Sequence, residues 1–242
     1  MTDVMTMGRL GVLLIVAALA WPWQPAAAAD PCAEGELHSS AIVGGDTLQL
    51  NWTGTVTEKM APVISAKFEA YKRRAKSVEL SLQSCGGRTD HMAEVIGVLR
   101  HIKATHTLTT VVERGATCAS ACIPIFLASD RRTAALSSLW FFHRSWRHQL
   151  AGGVDGVMTR TPGRSSLDRF LKQYYASAGV SQGWLRGLKS VIEKSGGYWQ
   201  TGRDLWDDKS GIITQTIGDV QPPDARPIYV APAPGCTAMC RG

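Results

Sequence analysis

One serine of this chain lies in a run of small residues that is typical of a nucleophile turn. Ser120 is the middle residue of Cys118–Cys122, which follows a turn at Gly115 and leads into Ile123–Ala128, an apolar segment that we predict as a short helix. Backbone N–H groups at the start of a helix lack partners and attract negative charge. The pattern therefore predicts an exposed hydroxyl that attacks a carbonyl, with the amide of Ala121 as an oxyanion donor.

Two further features are those that such a site needs. Gly86 and Gly87 follow a predicted strand, and glycine lets the backbone approach a substrate closely. The N–H of Gly87, or that of Gly86, would then be the second oxyanion donor. His143 ends the extended apolar run Leu139–His143, and an imidazole can act as a general base near neutral pH. Each feature alone is common in structural turns, and it is their combination that favours a catalytic interpretation.

The segments around these residues alternate between strand and helix patterns. Leu48, Leu50 and Trp52 alternate with polar residues as in a half-buried strand, whereas Met60 and Ile64 begin a helical spacing. The elements predicted before the serine are strand Thr47–Thr55, helix Thr57–Ala75, strand Ser77–Gln83, helix Thr89–Lys103 and strand Thr107–Glu113. This alternation predicts an α/β fold with a mainly parallel sheet, in which loops after neighbouring strands meet at one edge.

The second half of the chain is predicted to be mostly helical and rich in aromatic residues. After Leu139–His143 we expect a mobile loop Gly152–Gly163, helices Ser165–Ala178 and Ser181–Lys194, a short helix Asp204–Ser210 and a last strand Ile212–Ile217. The aromatic residues are Trp140, Phe141, Phe142, Trp146, Trp184, Trp199 and Trp206. Core packing is the simplest interpretation for them, and a subunit interface or a substrate groove is the alternative.

Four stretches resemble the Clp protease proteolytic subunit and its exported bacterial relatives. Leu82–Gly87 is similar to that family's strand ending in Ser-Pro-Gly-Gly, and Gly115–Ala121 is similar to its Ala-Ser-Met nucleophile turn. Phe141–Arg144 resembles the strand that ends in the catalytic His-Gln, and Thr201–Asp204 resembles the segment with the triad aspartate. The resemblance implies a ClpP/crotonase-like fold of repeated β-β-α and βαβ units.

The same resemblance implies a catalytic set and an activity. Ser120 would be the nucleophile, His143 the general base and Asp204 the residue that orients His143, with Gly87 and Ala121 as the oxyanion hole. Such a protein would be a serine peptidase that acts on peptides or proteins without a cofactor or metal, and it would assemble as a homo-oligomer. The alternatives for Asp204 are a helix cap, or a triad role for Asp207 or Asp208 in its place.

The resemblance also brings three cysteines close to the site. Cys85, Cys118 and Cys122 would be neighbours, which implies one disulfide, from Cys85 to Cys118 or Cys122, and leaves either one thiol or a partner from elsewhere. Two alternatives stay open for the proline-rich tail: a flexible arm, or a segment that Cys236 or Cys240 pins to Cys32. The cysteine spacings are not those of usual zinc sites, and no metal is expected.

The two ends of the chain have their own composition. Residues 1–29 combine Arg9, an apolar run Leu10–Ala20 and a run of alanines, as in a signal peptide that is cleaved after Ala29. Residues 30–220 are predicted as the hydrolase domain, and 221–242 as a proline-rich tail with a cysteine pair. We therefore expect a periplasmic or secreted protein without a stable membrane anchor, a location that suits six cysteines.

Composition and motifs leave several alternatives open. The formal net charge is +6, but the basic residues are spread along the chain and no nucleic-acid motif occurs, so we expect no nucleic-acid partner. A crotonase-type enzyme would need coenzyme A, which is not expected outside the cytoplasm. A serine–lysine peptidase could use Lys172, Lys189 or Lys194. A reactive-cysteine enzyme and a non-catalytic ClpP-fold binding or assembly protein are the remaining possibilities.

Overall fold

The fold is described from a computed structural model of the chain. It describes residues 30–143, 146–151, 157–162 and 167–218. The predicted signal peptide (1–29) and proline-rich tail (221–242) lie outside the described residues, so the predicted domain limits stay predictions. No helix in the described ranges is long and apolar enough to cross a membrane.

Eleven strands are present in these ranges. In chain order they are β1 Glu36–Val43, β2 Thr47–Thr53, β3 Ser77–Gln83, β4 Thr107–Val112, β5 Thr117–Ala119, β6 Arg131–Ala135, β7 Leu139–His143, β8 Trp146–Ala151, β9 Val157–Pro162, β10 Gly197–Thr201 and β11 Gln215–Ile217.

Helices separate most of these strands. They are α1 Met60–Tyr71, α2 Thr89–Lys103, α3 Cys122–Phe126, α4 Leu167–Phe170, α5 Gln182–Ser195 and α6 Gly202–Asp207. A π-helical turn, Leu171–Tyr175, and a 3₁₀ turn, Ala176–Ala178, continue from α4.

Six of the strands form the main sheet, in the order β1-β2-β3-β4-β6-β11. Strand β1 is antiparallel to β2, and all other neighbours are parallel. Helices α1 and α2 bury apolar side chains such as Ile64, Phe68 and Leu99 in the core. Side chains of β2 and β3 alternate between buried and partly exposed, so each strand has one face in that core. The prediction of an α/β fold with a mainly parallel sheet is confirmed.

A smaller sheet carries the second half of the predicted site. Its order is β10-β7-β5, with β5 parallel and β10 antiparallel to β7. An isolated bridge between Ser84, just after β3, and Cys118 of β5 joins this sheet to the main one. The carboxyl ends of β3, β5 and β7 therefore lie side by side.

The sequence predictions fail where strands lack a continuous apolar alternation. Strands β1, β6 and β10 are not predicted because polar, arginine or glycine residues interrupt their alternation. The expected mobile loop Gly152–Gly163 is wrong for Val157–Pro162, which pairs with Trp146–Ala151 as an antiparallel hairpin. The helix predicted over Ser165–Ala178 begins at Leu167 among the described residues and changes to π and 3₁₀ geometry.

One buried arginine holds the end of the main sheet together. Arg132 of β6 donates through Nε to the Ile212 carbonyl and through Nη2 to the Gly211 carbonyl, each at 2.9 Å. Its Nη1 donates to the carbonyls of Ala178, at 3.0 Å, and Ser129, at 3.3 Å. Burial lowers the pKa of this guanidinium, which still stays protonated because its usual value is so high. The side chain thereby connects three separate segments of the chain.

Replacing Arg132 should lower the stability of the fold. We expect Arg132→Met to lower the free energy of unfolding by about 3 kcal/mol or more, because four carbonyls, in two buried and two partly buried contacts, lose their donor. The matched control is Arg131→Met, which changes an exposed residue of the same strand and should stay within about 0.5 kcal/mol of the wild type. Urea denaturation of the three proteins measures the difference, and equal midpoints would show that Arg132 is not a structural link.

Candidate active site

The candidate site lies where β3, β5 and β7 end. The Ser84 N–H donates to the Thr117 carbonyl at 2.7 Å, and the Ala119 N–H donates to the Ser84 carbonyl at 2.9 Å. On the other side of β5, Ala119 pairs in register with Phe141 of β7. The residues that follow the three strands must therefore meet at one edge, as in other parallel sheets.

Ser120 occupies the turn between β5 and α3 in an unusual conformation. Its φ is +54°, the left-handed region that costs a non-glycine residue roughly 1–2 kcal/mol. The turn is held because the Ser120 N–H donates to the Phe141 carbonyl at 2.9 Å, while the Ser120 carbonyl accepts from Ile123 at 3.1 Å. A strained turn between a strand and a helix is typical of an exposed nucleophile.

His143 lies within hydrogen-bond distance of this serine. The Nε2 atom of His143 and the Oγ of Ser120 are 2.7 Å apart, and the pair is partly buried. With the imidazole proton on Nδ1, the serine hydroxyl donates to Nε2, which is the arrangement for proton removal by a general base. The structure thus brings together the two residues that the sequence singled out first.

Gly86 makes room beside the serine. Its φ is +94°, and a Cβ at this position would lie 2.6 Å from the Ser120 Cβ and 2.9 Å from the Ala121 nitrogen. The missing side chain therefore leaves space next to the hydroxyl and the first amide of the α3 turn. Only glycine combines this conformation with so close an approach.

The three amides considered as oxyanion donors differ in their hydrogen bonds. The Gly86 N–H donates to the Ser84 Oγ at 3.0 Å, so Gly86 is the weaker of the two alternatives for the second donor. In the described part of the chain, the amides of Gly87 and Ala121 donate to no main-chain carbonyl. A bridge to Val56 holds the backbone of Gly87 in place.

An aromatic stack that the sequence did not predict lies against the histidine. The rings of Phe141 and His143 stack with centroids 5.3 Å apart, and the rings of Phe141 and Trp199 stack at 4.6 Å. Gly197, opposite His143 on β10, makes this possible because a Cβ there would lie 2.5 Å from the Phe141 ring. The alternation of Leu139, Phe141 and His143 indicated that these side chains share one face of β7. The stack could still not be predicted, because Trp199 lies on β10, which the sequence analysis did not predict as a strand.

The assignment of Asp204 as the residue that orients His143 needs correction. The Oδ2 atom of Asp204 accepts from the N–H and the hydroxyl of Thr201, both at 2.7 Å, and so closes a capping box at the start of α6. Thr201 pairs with Leu139, whereas His143 is at the other end of β7, about 13 Å away at the usual rise per residue. The helix-cap alternative therefore explains Asp204.

The other aspartates of this segment do not replace it. Asp208 follows α6, and its Oδ2 accepts from Gln200 at 3.2 Å. Asp207 is exposed at the end of the same helix. Both lie at the end of α6, a helix that follows Thr201, and Thr201 pairs with Leu139 at the end of β7 remote from His143. The serine–lysine alternative loses Lys189, which pairs with Asp168 at 2.7 Å.

The cysteine pairing also differs from the expectation. Cys85 pairs with Cys32, and Cys118 pairs with Cys122. The expected bond from Cys85 to Cys118 or Cys122 is therefore wrong, and Cys32 does not pin the tail. Cys236 and Cys240 lie outside the described residues. Short-range pairing of Cys118 with Cys122 depends on the turn at Ser120, which spacing alone does not reveal.

An exposed ion pair flanks the glycine turn. Arg88 donates to Asp90 through Nε at 3.1 Å and through Nη2 at 2.5 Å. The hydrogen bonds from Arg88 hold the pKa of the Asp90 carboxyl well below its usual value. These opposite charges neutralise each other at the start of α2.

In the described ranges no cluster of histidine, cysteine and acidic side chains has the arrangement of a metal site.

Comparisons with known proteins find similarity in structure rather than in sequence. No protein-family model matches the chain, and no curated protein matches it. The 1510-N membrane-bound stomatin-specific protease, in a serine-to-alanine mutant, is 16% identical, with 74% of this chain and 83% of that chain covered and a TM-score of 0.52. This match shows that the chain has the fold of the ClpP-like proteases.

Two other structures match with a TM-score of 0.49. One is a ClpP1 mutant from Listeria monocytogenes, which is 17% identical, with 72% of this chain and 92% of that chain covered. The other is the 1510-N protease in a lysine-to-alanine mutant with a substrate peptide, also 17% identical, with 74% of this chain and 78% of that chain covered.

The close approach of Gly86 to the serine can be tested by adding one methyl group. We expect Gly86→Ala to slow the reaction of Ser120 with a fluorophosphonate probe by about 100-fold or more, because a displacement of about 1 Å at a reacting group has an effect of that size. The control is Gly97→Ala, an open position on α2 where a Cβ meets nothing within 4 Å. That change should leave the rate of this reaction unchanged and stabilise the fold by about 0.5–1 kcal/mol. A normal rate for Gly86→Ala would contradict this geometry.

The left-handed conformation of Ser120 predicts an order of stability. Glycine adopts a φ of +54° without strain, whereas alanine does not. We therefore expect Ser120→Gly to be more stable than Ser120→Ala by roughly 1 kcal/mol in urea denaturation, although both lack the nucleophile. The reverse order would mean that the turn is not left-handed in solution.

Proposed function

We propose that this protein is an exported serine hydrolase, and specifically a peptidase that works through an acyl-enzyme on Ser120. The observation that carries the proposal is the 2.7 Å contact between the Ser120 Oγ and the His143 Nε2 at a left-handed turn. A strained serine within reach of an imidazole is the arrangement that nucleophilic catalysis requires.

In the proposed reaction His143 takes the proton of the Ser120 hydroxyl as the oxygen attacks the substrate carbonyl. The developing oxyanion accepts hydrogen bonds from the amides of Gly87 and Ala121, which have no other main-chain acceptor in the described ranges. His143 then gives its proton to the leaving amine. It next activates the water that hydrolyses the acyl-enzyme and restores the serine.

His143 is held in place by its surroundings. The Phe141 ring stacks on the imidazole, and Trp199 stacks on Phe141. In this proposal the stack limits rotation of the imidazole while leaving Nε2 directed at the serine. Asp204 has no part in it, because its carboxylate caps α6.

The substrate class, location and assembly state are supported by different observations. A peptide substrate is favoured because the 1510-N protein, which has this fold, is a protease. Export to an oxidising compartment is favoured by the signal-peptide pattern of residues 1–29 and by the pairs Cys32–Cys85 and Cys118–Cys122. We further propose a homo-oligomer, as the resemblance to ClpP implies.

Covalent labelling distinguishes this proposal from a non-catalytic binding protein. We expect a fluorophosphonate probe to add once to the purified protein at Ser120, as seen by intact mass and peptide mapping. Ser120→Ala should lose the adduct, and His143→Ala should slow its formation by about 1,000-fold or more because no base removes the proton.

The controls are residues of the same types elsewhere on the surface. Ser177→Ala and His101→Ala change an exposed serine and an exposed histidine outside the site, so labelling should be unchanged. A folded wild-type protein that forms no adduct would reject the hydrolase and favour the binding protein. Labelling at another residue would reject the assignment of Ser120.

A further inference from the structure

The nucleophile turn is enclosed by a disulfide. Cys118 belongs to β5 and Cys122 is the first residue of α3, so the bond joins the end of the strand directly to the start of the helix. Only Ala119, Ser120 and Ala121 lie between them. Both cysteines have no exposed surface, so the bond itself lies in the protein interior, whereas Ser120 is partly exposed.

The ring contains the groups whose positions matter most for acyl transfer. Ser120 lies inside it with a φ of +54°, and so does the amide of Ala121. A backbone in this strained region persists only where its surroundings enforce it. The hydrogen bond from the Ser120 N–H to Phe141 holds the turn from outside the ring. The disulfide holds it from within, because the strand and the helix cannot separate.

Global stability does not explain this bond well. Its cysteines are four residues apart, whereas those of the Cys32–Cys85 bond are 53 apart. A crosslink restricts the unfolded chain less when the loop that it closes is short. The effect of the Cys118–Cys122 bond is therefore expected mainly in the local conformation of the turn.

We propose that the Cys118–Cys122 disulfide positions the Ser120 hydroxyl and the Ala121 amide for acylation. This inference rests on the proposed hydrolase function and adds a requirement to it. Cys118 and Cys122 are positioning residues that act through the turn. Formation of the bond removes two electrons and two protons from the two thiols, which a disulfide-containing oxidant takes up. Full activity therefore requires a protein that has matured under oxidising conditions.

Two double variants separate positioning from stability. We expect Cys118→Ala/Cys122→Ala to fold but to react with the fluorophosphonate about 10- to 100-fold more slowly than the wild type, since small displacements of a nucleophile have effects of this size. Cys32→Ala/Cys85→Ala should show the larger decrease in unfolding midpoint but the smaller decrease in the rate of reaction with the fluorophosphonate. The pH at half-maximal rate should stay unchanged in both, because His143 lies on β7 outside the ring.

Reoxidation tests the same bond without removing its cysteines. Cys32→Ala/Cys85→Ala protein lacking residues 1–29 is made in a reducing cytoplasm, and its folded fraction is measured by circular dichroism. Oxidised glutathione is then added, and peptide mapping follows formation of the Cys118–Cys122 bond. We expect the rate of reaction with the fluorophosphonate per folded molecule to rise about 10- to 100-fold in parallel with that bond.

The outcomes are distinguishable. Equal rates per folded molecule with and without the bond, in the variants or on reoxidation, overturn the positioning role and leave the hydrolase in place. If loss of the bond lowers only the folded fraction and not the rate per folded molecule, the positioning role is overturned as well. No reaction of the oxidised wild type with the fluorophosphonate rejects the proposed function itself. A slower reaction that reoxidation restores supports the inference.

Discussion

Ser84 is the residue at which the two sheets of this protein are joined. It is fully buried, its N–H and carbonyl pair with Thr117 and Ala119 on either side of Cys118, and its hydroxyl accepts from the Gly86 N–H at 3.0 Å. One residue therefore aligns β3 with β5 and fixes the glycine turn beside the nucleophile turn. Since β5 is also in register with β7, the position of His143 follows from the same alignment. The geometry of the site depends on this backbone pairing before any catalytic side chain contributes.

The backbone around this junction is under local constraint at several points. Ser120 and Gly86 both have positive φ, and they approach so closely that a Cβ on Gly86 would lie 2.6 Å from the Ser120 Cβ. Buried main-chain hydrogen bonds offset the strain because breaking one of them would leave a buried polar group without a partner. Two disulfides act on the same turns, since Cys85 precedes Gly86 and the Cys118–Cys122 pair encloses Ser120. Hydrogen bonds and covalent links therefore constrain the backbone at the same place.

The surroundings of His143 differ from those that family resemblance implies. The segment with the expected aspartate is present, but its carboxylate caps α6 and is separated from the imidazole by the length of β7. A capping box satisfies amides that otherwise lack a partner at a helix start, so this role fully explains the residue. Phe141 of β7 and Trp199 of β10 form an aromatic face that continues to the histidine. His143 thus lies against a stacked aromatic surface.

The sequence by itself determined the α/β alternation, the limits of Ser77–Gln83, Thr89–Lys103 and Leu139–His143, and the selection of Ser120 and His143 as partners. These features depend on apolar periodicity and on small residues at turns, which are local properties of the chain. Only the tertiary structure decided the remaining points. Strands β1, β6 and β10 were missed because polar, arginine or glycine residues interrupt their apolar alternation, whereas neighbouring strands supply their hydrogen bonds. The register of β10 with β7 decided that Asp204 lies away from His143 and that Trp199 stacks on Phe141. No linear spacing encodes this register or the Cys32–Cys85 pair, because they join segments that are distant in the chain. The Cys118–Cys122 pair is local, but it depends on the left-handed turn at Ser120, which the spacing of the two cysteines does not reveal.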